Sequence, residues 1–202
     1  MRDLELRGAG NLLGAQQHGH MEAVGYDLYC KMLNEAVKTL KGIPVKESFE
    51  TMIDINLDAY IPEKYIRNEY QKLDVYKRIA SIENEEEYED MLEELLDRFG
   101  EPPKSVLNLL EVANVKALAH SVYVTEVSQK ADFIKFTMYE RAKVNPAGIP
   151  GLVESYKGRL KFTIDTRPYF IYQPPKNNRK EEKSALEVVK NVLNDIKSLL
   201  DE

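Results

Sequence analysis

Near residue 120 the apolar pattern of the chain changes period, and that switch confines it to a fold that keeps its helices apart from a small sheet. A helix turns one face inward every 3.6 residues and a strand every two, so neither pattern suits the other conformation. After the switch, residues 122–127 and 133–138 alternate around the polar turn 129–132 and read as a hairpin. Residues 160–164 and 169–172 read as a second hairpin, turned by Asp165-Thr166-Arg167-Pro168. Between the hairpins, Asn145-Pro146 starts a short helix running to about Tyr156. A polar, Pro-containing stretch over 173–180 precedes a last helix with Leu186, Val189, Leu193, Ile196 and Leu200 on one face.

Before the switch the helical period dominates. The clearest helix begins at Asn84, with Glu87 in capping-box position and Glu85 and Glu86 beside the positive helix end. Its apolar face is Tyr88, Met91, Leu92, Leu95, Leu96 and Phe99, and Gly100 with Pro102-Pro103 stops it. Upstream, Pro62 is expected to open a helix with the stripe Ile66, Tyr70, Leu73, Tyr76, Lys77 and Ala80. Downstream, residues 104–119 turn Val106, Leu109, Leu110, Ala113 and Ala117 inward. One strand precedes these helices: Ile53, Ile55 and Leu57 alternate over 52–57. The expected class is α+β, a small, mostly antiparallel sheet covered by several helices. Residues 43–50 read as a linker, behind which Val24, Leu28, Leu33, Ala36, Val37 and Leu40 form one amphipathic helix.

Charge narrows the partners. The net charge is −6 over 202 residues, but it is unevenly spread: residues 43–120 are net −9 and residues 121–202 net +3. An acidic middle third disfavours a dedicated nucleic-acid surface and favours a protein partner, with solubility as the plain alternative. The exposed acids of the 84–100 helix, Glu86, Glu93 and Glu94, are the candidate docking face on charge alone. Catalytic chemistry has little to stand on. Cys30 is the single cysteine, and His18, His20 and His120 have no Cys or Asp at ligand spacing. Tyr65, Tyr70, Tyr76 and Tyr88 recur at helical spacing and read as core. With no apolar run near the length of a membrane span and no secretory start, a reducing, cytoplasmic setting without a membrane is expected.

The opening is the unusual part. Arg7-Gly8-Ala9-Gly10-Asn11-Leu12-Leu13-Gly14 is rich in glycine, yet it matches neither GxxxxGK[ST] nor G-x-G-x-x-G and follows no strand. Glycines there permit positive φ and the close approach of another surface, and Arg7 and Gln17 can bridge to a neighbouring domain or to phosphates. Residues 2–14, with Gln17, Gly19 and Gly25-Tyr26-Asp27-Leu28-Tyr29, resemble the translocation motif shared by RecG helicases and the transcription-repair coupling factors (Mfd). The continuation through Asp54-Ile55-Asn56-Leu57-Asp58-Ala59-Tyr60-Ile61-Pro62, Tyr76-Lys77-Arg78-Ile79 and Leu96-Asp97-Arg98-Phe99-Gly100-Glu101-Pro102-Pro103 is similar to the coupling factors in particular.

That resemblance implies a parent that is an ATP-driven, double-stranded DNA translocase, using ATP and Mg outside this chain, which displaces stalled RNA polymerase and recruits UvrA. Residues 1–45 would be the later part of the translocation motif, its positions Arg7, Gly8, Gly10, Gly14 and Gln17 linking motor closure to movement on DNA. Residues 46–202 would be a non-catalytic regulatory domain, binding no cofactor, that folds back on the N-terminal repair module of its own chain. The competing expectation is a free-standing protein-interaction or DNA-binding module.

Overall fold

The computed structural model describes residues 49–176 and 184–200. The translocation-motif positions Arg7, Gly8, Gly10, Gly14 and Gln17, together with His18, His20, Cys30 and the amphipathic helix expected to end at Gly42, lie outside the described residues.

Strand β1 (Met52–Asp54) is followed by helices α1 (Glu69–Ala80), α2 (Glu85–Phe99) and α3 (Lys104–Ser121). Strands β2 (Val124–Gln129) and β3 (Ile134–Met138) form the first hairpin. A turn of 3₁₀-helix (Pro146–Gly148), helix α4 (Ile149–Ser155), strands β4 (Leu160–Thr163) and β5 (Tyr169–Tyr172), and helix α5 (Ala185–Lys197) complete the order. The five strands lie in the order β1-β2-β3-β5-β4. All neighbours pair antiparallel except β1 and β2. A parallel pair needs a long crossover, and here the three helices α1 to α3 supply it.

Helix α3 is the centre of the packing. It contacts β1, β2, α1, α2 and α5, and Val106, Leu109, Leu110, Val112, Ala113, Asn114, Val115 and Ala119 are all buried. The expected one-sided stripe therefore holds for Val106 to Ala113 and widens beyond it, while Ala117 is only half-buried. A helix apolar on most sides belongs inside, between two layers.

Two boundaries and one cap differ from expectation. Pro62 opens a turn, not a helix: the amides of Tyr65 and Ile66 donate to its carbonyl, and α1 starts only after Asn68, whose side chain accepts from the Gln71 amide. With Ile66 outside the helix, the face of α1 is set by α3, so Lys72, Val75, Tyr76 and Ile79 are buried and Tyr70 is 87% exposed. Strand β1 stops at Asp54, although Ile53 and Ile55 are both buried. In α2, Asn84 accepts from the Glu87 amide as expected, but the Glu87 carboxylate turns back to the amide of Glu83, one residue before the helix cap. The full reciprocal capping box instead sits at Ser184 and Glu187 of α5, which the sequence reading passed over.

Buried Phe136 in the middle of the sheet tests this arrangement. Phe136→Ala should cost about 3–5 kcal/mol, the usual cost of emptying a large core site. Tyr70→Ala should stay within about 0.5 kcal/mol of the parent. Both are read by denaturant unfolding of the 202-residue chain.

Candidate docking surface

Helix α2 brings eight carboxylates and one arginine to a single fifteen-residue element. They are not equivalent. The Asn114 amide nitrogen of α3 donates to Glu85 at 2.7 Å, and Glu87 is held by the Glu83 amide. Glu94 lies between two arginines: Arg78 of α1 binds it through both guanidinium nitrogens, and Arg98, one turn along α2, donates at 2.7 Å. Those two partners hold the Glu94 carboxyl down at about 2, below the usual carboxylate range, through hydrogen bonds from Arg78 first and Arg98 second. The chemistry of Glu94 is thus the clamping of α1 to α2. Glu86 and Glu93 stand exposed, joined by Glu89, Asp90 and Asp97. Of the three candidate docking acids, the fold leaves Glu86 and Glu93 facing solvent and takes Glu94 into an ion pair.

The inner face of α2 is fixed by a polar ladder. The Tyr88 hydroxyl donates to Glu111 of α3 at 2.6 Å, and Lys190 of α5 reaches the same carboxylate at 2.7 Å. Burial first, and the neighbouring Glu111 second, push the Tyr88 phenol well above its ordinary value. Tyr65 closes the far end, donating to the carbonyls of Leu95 and Gly100. Gly100 there has φ +80°, a conformation glycine adopts without strain. Tyr76 accepts the Ile61 amide at 2.8 Å. Tyr76 and Tyr88 thus pack inward from helices as expected, Tyr65 packs and bonds from the turn before α1, and Tyr70 faces solvent. The outer surface of α2 is consequently a rigid acidic plate whose apolar contact point is Leu96, 42% exposed.

Elsewhere the described residues hold no cluster of His, Cys, Asp and Glu suited to a metal ion. His120 packs in an aromatic cluster, its ring 4.4 Å from that of Phe49 and its Nδ1 3.3 Å from the Thr51 hydroxyl. A recess of about 570 Å³ opens between the end of α4, the turn before β4, the end of β5 and α5. Its Tyr156 hydroxyl donates to Asp195, and the phenol is pushed up by burial and by that carboxylate. No helix of the described residues is long and apolar enough to cross a membrane.

The Glu94 clamp carries a pH signature. Its carboxyl titrates lower folded than unfolded, so its contribution to stability is complete above about pH 4.5 and lost as the pH falls towards 2. Glu94→Gln should flatten the stability profile over that window, measured by denaturant midpoints from pH 2 to 6. Unchanged slopes would remove the clamp from the account.

Three comparisons place the chain. The model of the TRCF domain family matches residues 55–149. The transcription-repair-coupling factor of Bacillus subtilis (strain 168) is 49% identical over 149 residues, which is 73% of this chain and 13% of that protein. That of Staphylococcus haemolyticus is 44% identical over 144 residues, 70% of this chain and 12% of the relative. The chain thus spans about an eighth of the length of the curated relatives it matches. Among solved structures, a crystal structure of the C-terminal domain of transcription-repair coupling factor superposes with a TM-score of 0.61 at 27% identity, covering 77% of this chain and 95% of that one. An α+β domain of this order, matched over nearly the whole of that solved domain, makes the chain a member of the transcription-repair-coupling factor family that carries the family's C-terminal domain.

Proposed function

We propose that this domain is the regulatory terminus of a longer ATP-dependent, double-stranded DNA translocase of transcription-coupled repair, which displaces stalled RNA polymerase and recruits UvrA in the cytoplasm. The observation that carries the reading is the identity of 49% over 149 residues to a protein of which those residues are only 13%. On this reading residues 46–202 perform no catalysis and bind no cofactor. ATP and magnesium belong to the part of the parent outside this chain. The domain acts by docking on the N-terminal repair module of its own polypeptide and covering the surface that UvrA uses.

The acidic plate of α2 supports the docking role physically. Its backbone is held at both ends and along its inner face, so Glu86 and Glu93 are presented without further ordering. Preorganised charge loses less entropy on contact than a mobile segment. Interfaces within one chain are typically modest and polar, so the contact can open while both domains stay folded. Residues 1–45 take a different part: Arg7 and Gln17 tie closure of the motor to its grip on DNA. Arg7 offers a planar fork of donors that lysine cannot reproduce.

Masking of this kind corresponds to a coupling of about 1–3 kcal/mol, so deleting residues 46–202 from the parent should raise its UvrA affinity roughly 5- to 150-fold. Glu86→Lys with Glu93→Lys should recover part of that gain without unfolding α2. Unchanged UvrA binding after truncation removes the masking role; a gain on truncation but none on charge reversal removes only the α2 docking face.

Arg7→Ala or Gln17→Ala in the parent should leave ATP hydrolysis in place and abolish displacement of stalled polymerase, with Arg7→Lys nearly as damaging. Normal displacement by Arg7→Ala refutes the coupling role.

A further inference from the structure

Among the described residues, helices seal the sheet on one face only. Ile134, Phe136, Met138, Leu160, Phe170 and Tyr172 point into the core. The residues that alternate with them are half-buried or exposed, and no helix of the described residues seals them. Register sets these outward residues in rows: Lys135, Ile171 and Lys161 lie side by side across β3, β5 and β4, and Thr137, Tyr169 and Thr163 form the next row. An apolar strip of Tyr169 and Ile171 therefore runs along β5 with a lysine on either side. β3, β4 and β5 contain two lysines and no carboxylate; the same rows continue to Asp54 on β1 and Glu126 on β2, so the basic part of the face is the part built by β3, β5 and β4.

The dimensions suit one ligand. Strands lie about 4.8 Å apart, so the two lysine positions are separated by about 10 Å, the width of a single α-helix. Tyr169 and Ile171 are about 6.7 Å apart along β5, close to the roughly 6 Å between positions i and i+4 of a helix. We infer that this face docks an acidic amphipathic helix of a partner protein. The helix lies along β5, with its apolar stripe on Tyr169 and Ile171 and its carboxylates beside Lys135 and Lys161. Nucleic acid fits less well. The Lys135 ammonium sits 4.3 Å from the centre of the Tyr169 ring, over the face on which a base would stack.

The test titrates the 202-residue chain with a stapled helical peptide whose leucines recur at i, i+4 and i+7 between flanking glutamates. The same peptide with lysines in place of the glutamates, and a short DNA duplex, serve as controls. Saturable amide NMR shifts centred on Lys135, Lys161, Tyr169 and Ile171 are expected. The pair Lys135→Glu and Lys161→Glu should weaken the affinity by about tenfold or more. Should that pair disturb folding, Lys161→Gln at its exposed position and Ile171→Ser should each weaken binding while the melting temperature holds. Absent or scattered shifts, equal binding of the lysine peptide, variants that bind undiminished, or a duplex that binds this face more tightly than the acidic peptide would each overturn the proposal.

Discussion

The burial of α3 on most of its circumference is the constraint on which the rest of the structure depends. Four consecutive residues, Val112 to Val115, are buried, so the helix has no side to offer solvent along that stretch. It must be enclosed by α1 and α2, by α5, and by β1 with β2. That requirement explains the one parallel pair in the sheet. The chain leaves β1, builds the helical layer around α3 and returns through α3 into β2 beside the strand it left. Asn114 is the polar exception inside this environment, and its donation to Glu85 shows how it is accommodated: a buried amide is tolerated when its hydrogen bond is made.

The same layering separates the charges. α1 and α2 pack on α3 and carry the acids outward, while the open face of the sheet carries Lys135 and Lys161 on β3 and β4, with Glu126 and Asp54 confined to β2 and β1. Within the acidic layer, geometry divides the carboxylates into those that hold the fold and those that face water. Glu94 and Glu111 bridge between helices; Glu86 and Glu93 do not. Charge density alone could not separate Glu94 from Glu86 and Glu93, because those three share one helix and one chemistry. Only the arrival of Arg78 from α1, sixteen residues away in sequence, makes Glu94 structural.

What the sequence showed and what it hid follow the same line. Period, caps and stop signals act within a few residues. Hence α2, ending at a positive-φ Gly100, the Asn145 cap before Pro146, and both hairpins were readable. The parallel partner of β1 and the rotated face of α1 are set by contacts between distant segments, and local pattern carries no trace of them; the apolar residues on most sides of α3 did announce its enclosure, but only one stripe of them was read. Lys72 is the plainest case: a lysine reads as exposed, yet it lies 4% exposed on the face that α1 turns inward. The translocation-motif residues Arg7 and Gln17 rest on resemblance, since they fall outside the described residues.

The point at which the described chain enters the domain is tied to the same framework. Phe49 stacks on Tyr139 with ring centres 4.7 Å apart and packs against His120 at 4.4 Å. Two residues on, the Thr51 hydroxyl donates to the Val124 carbonyl at 2.7 Å, and β1 then pairs with β2. His120 lies in the last turn of α3 and Val124 opens β2, so the entering segment is fastened where the central helix passes into the sheet. The proposed docking role would need surfaces held in a constant relation to the polypeptide that delivers them. Side-chain anchors of this kind would let β1 be only three residues long and still set that relation, because the strand does not bear the attachment alone.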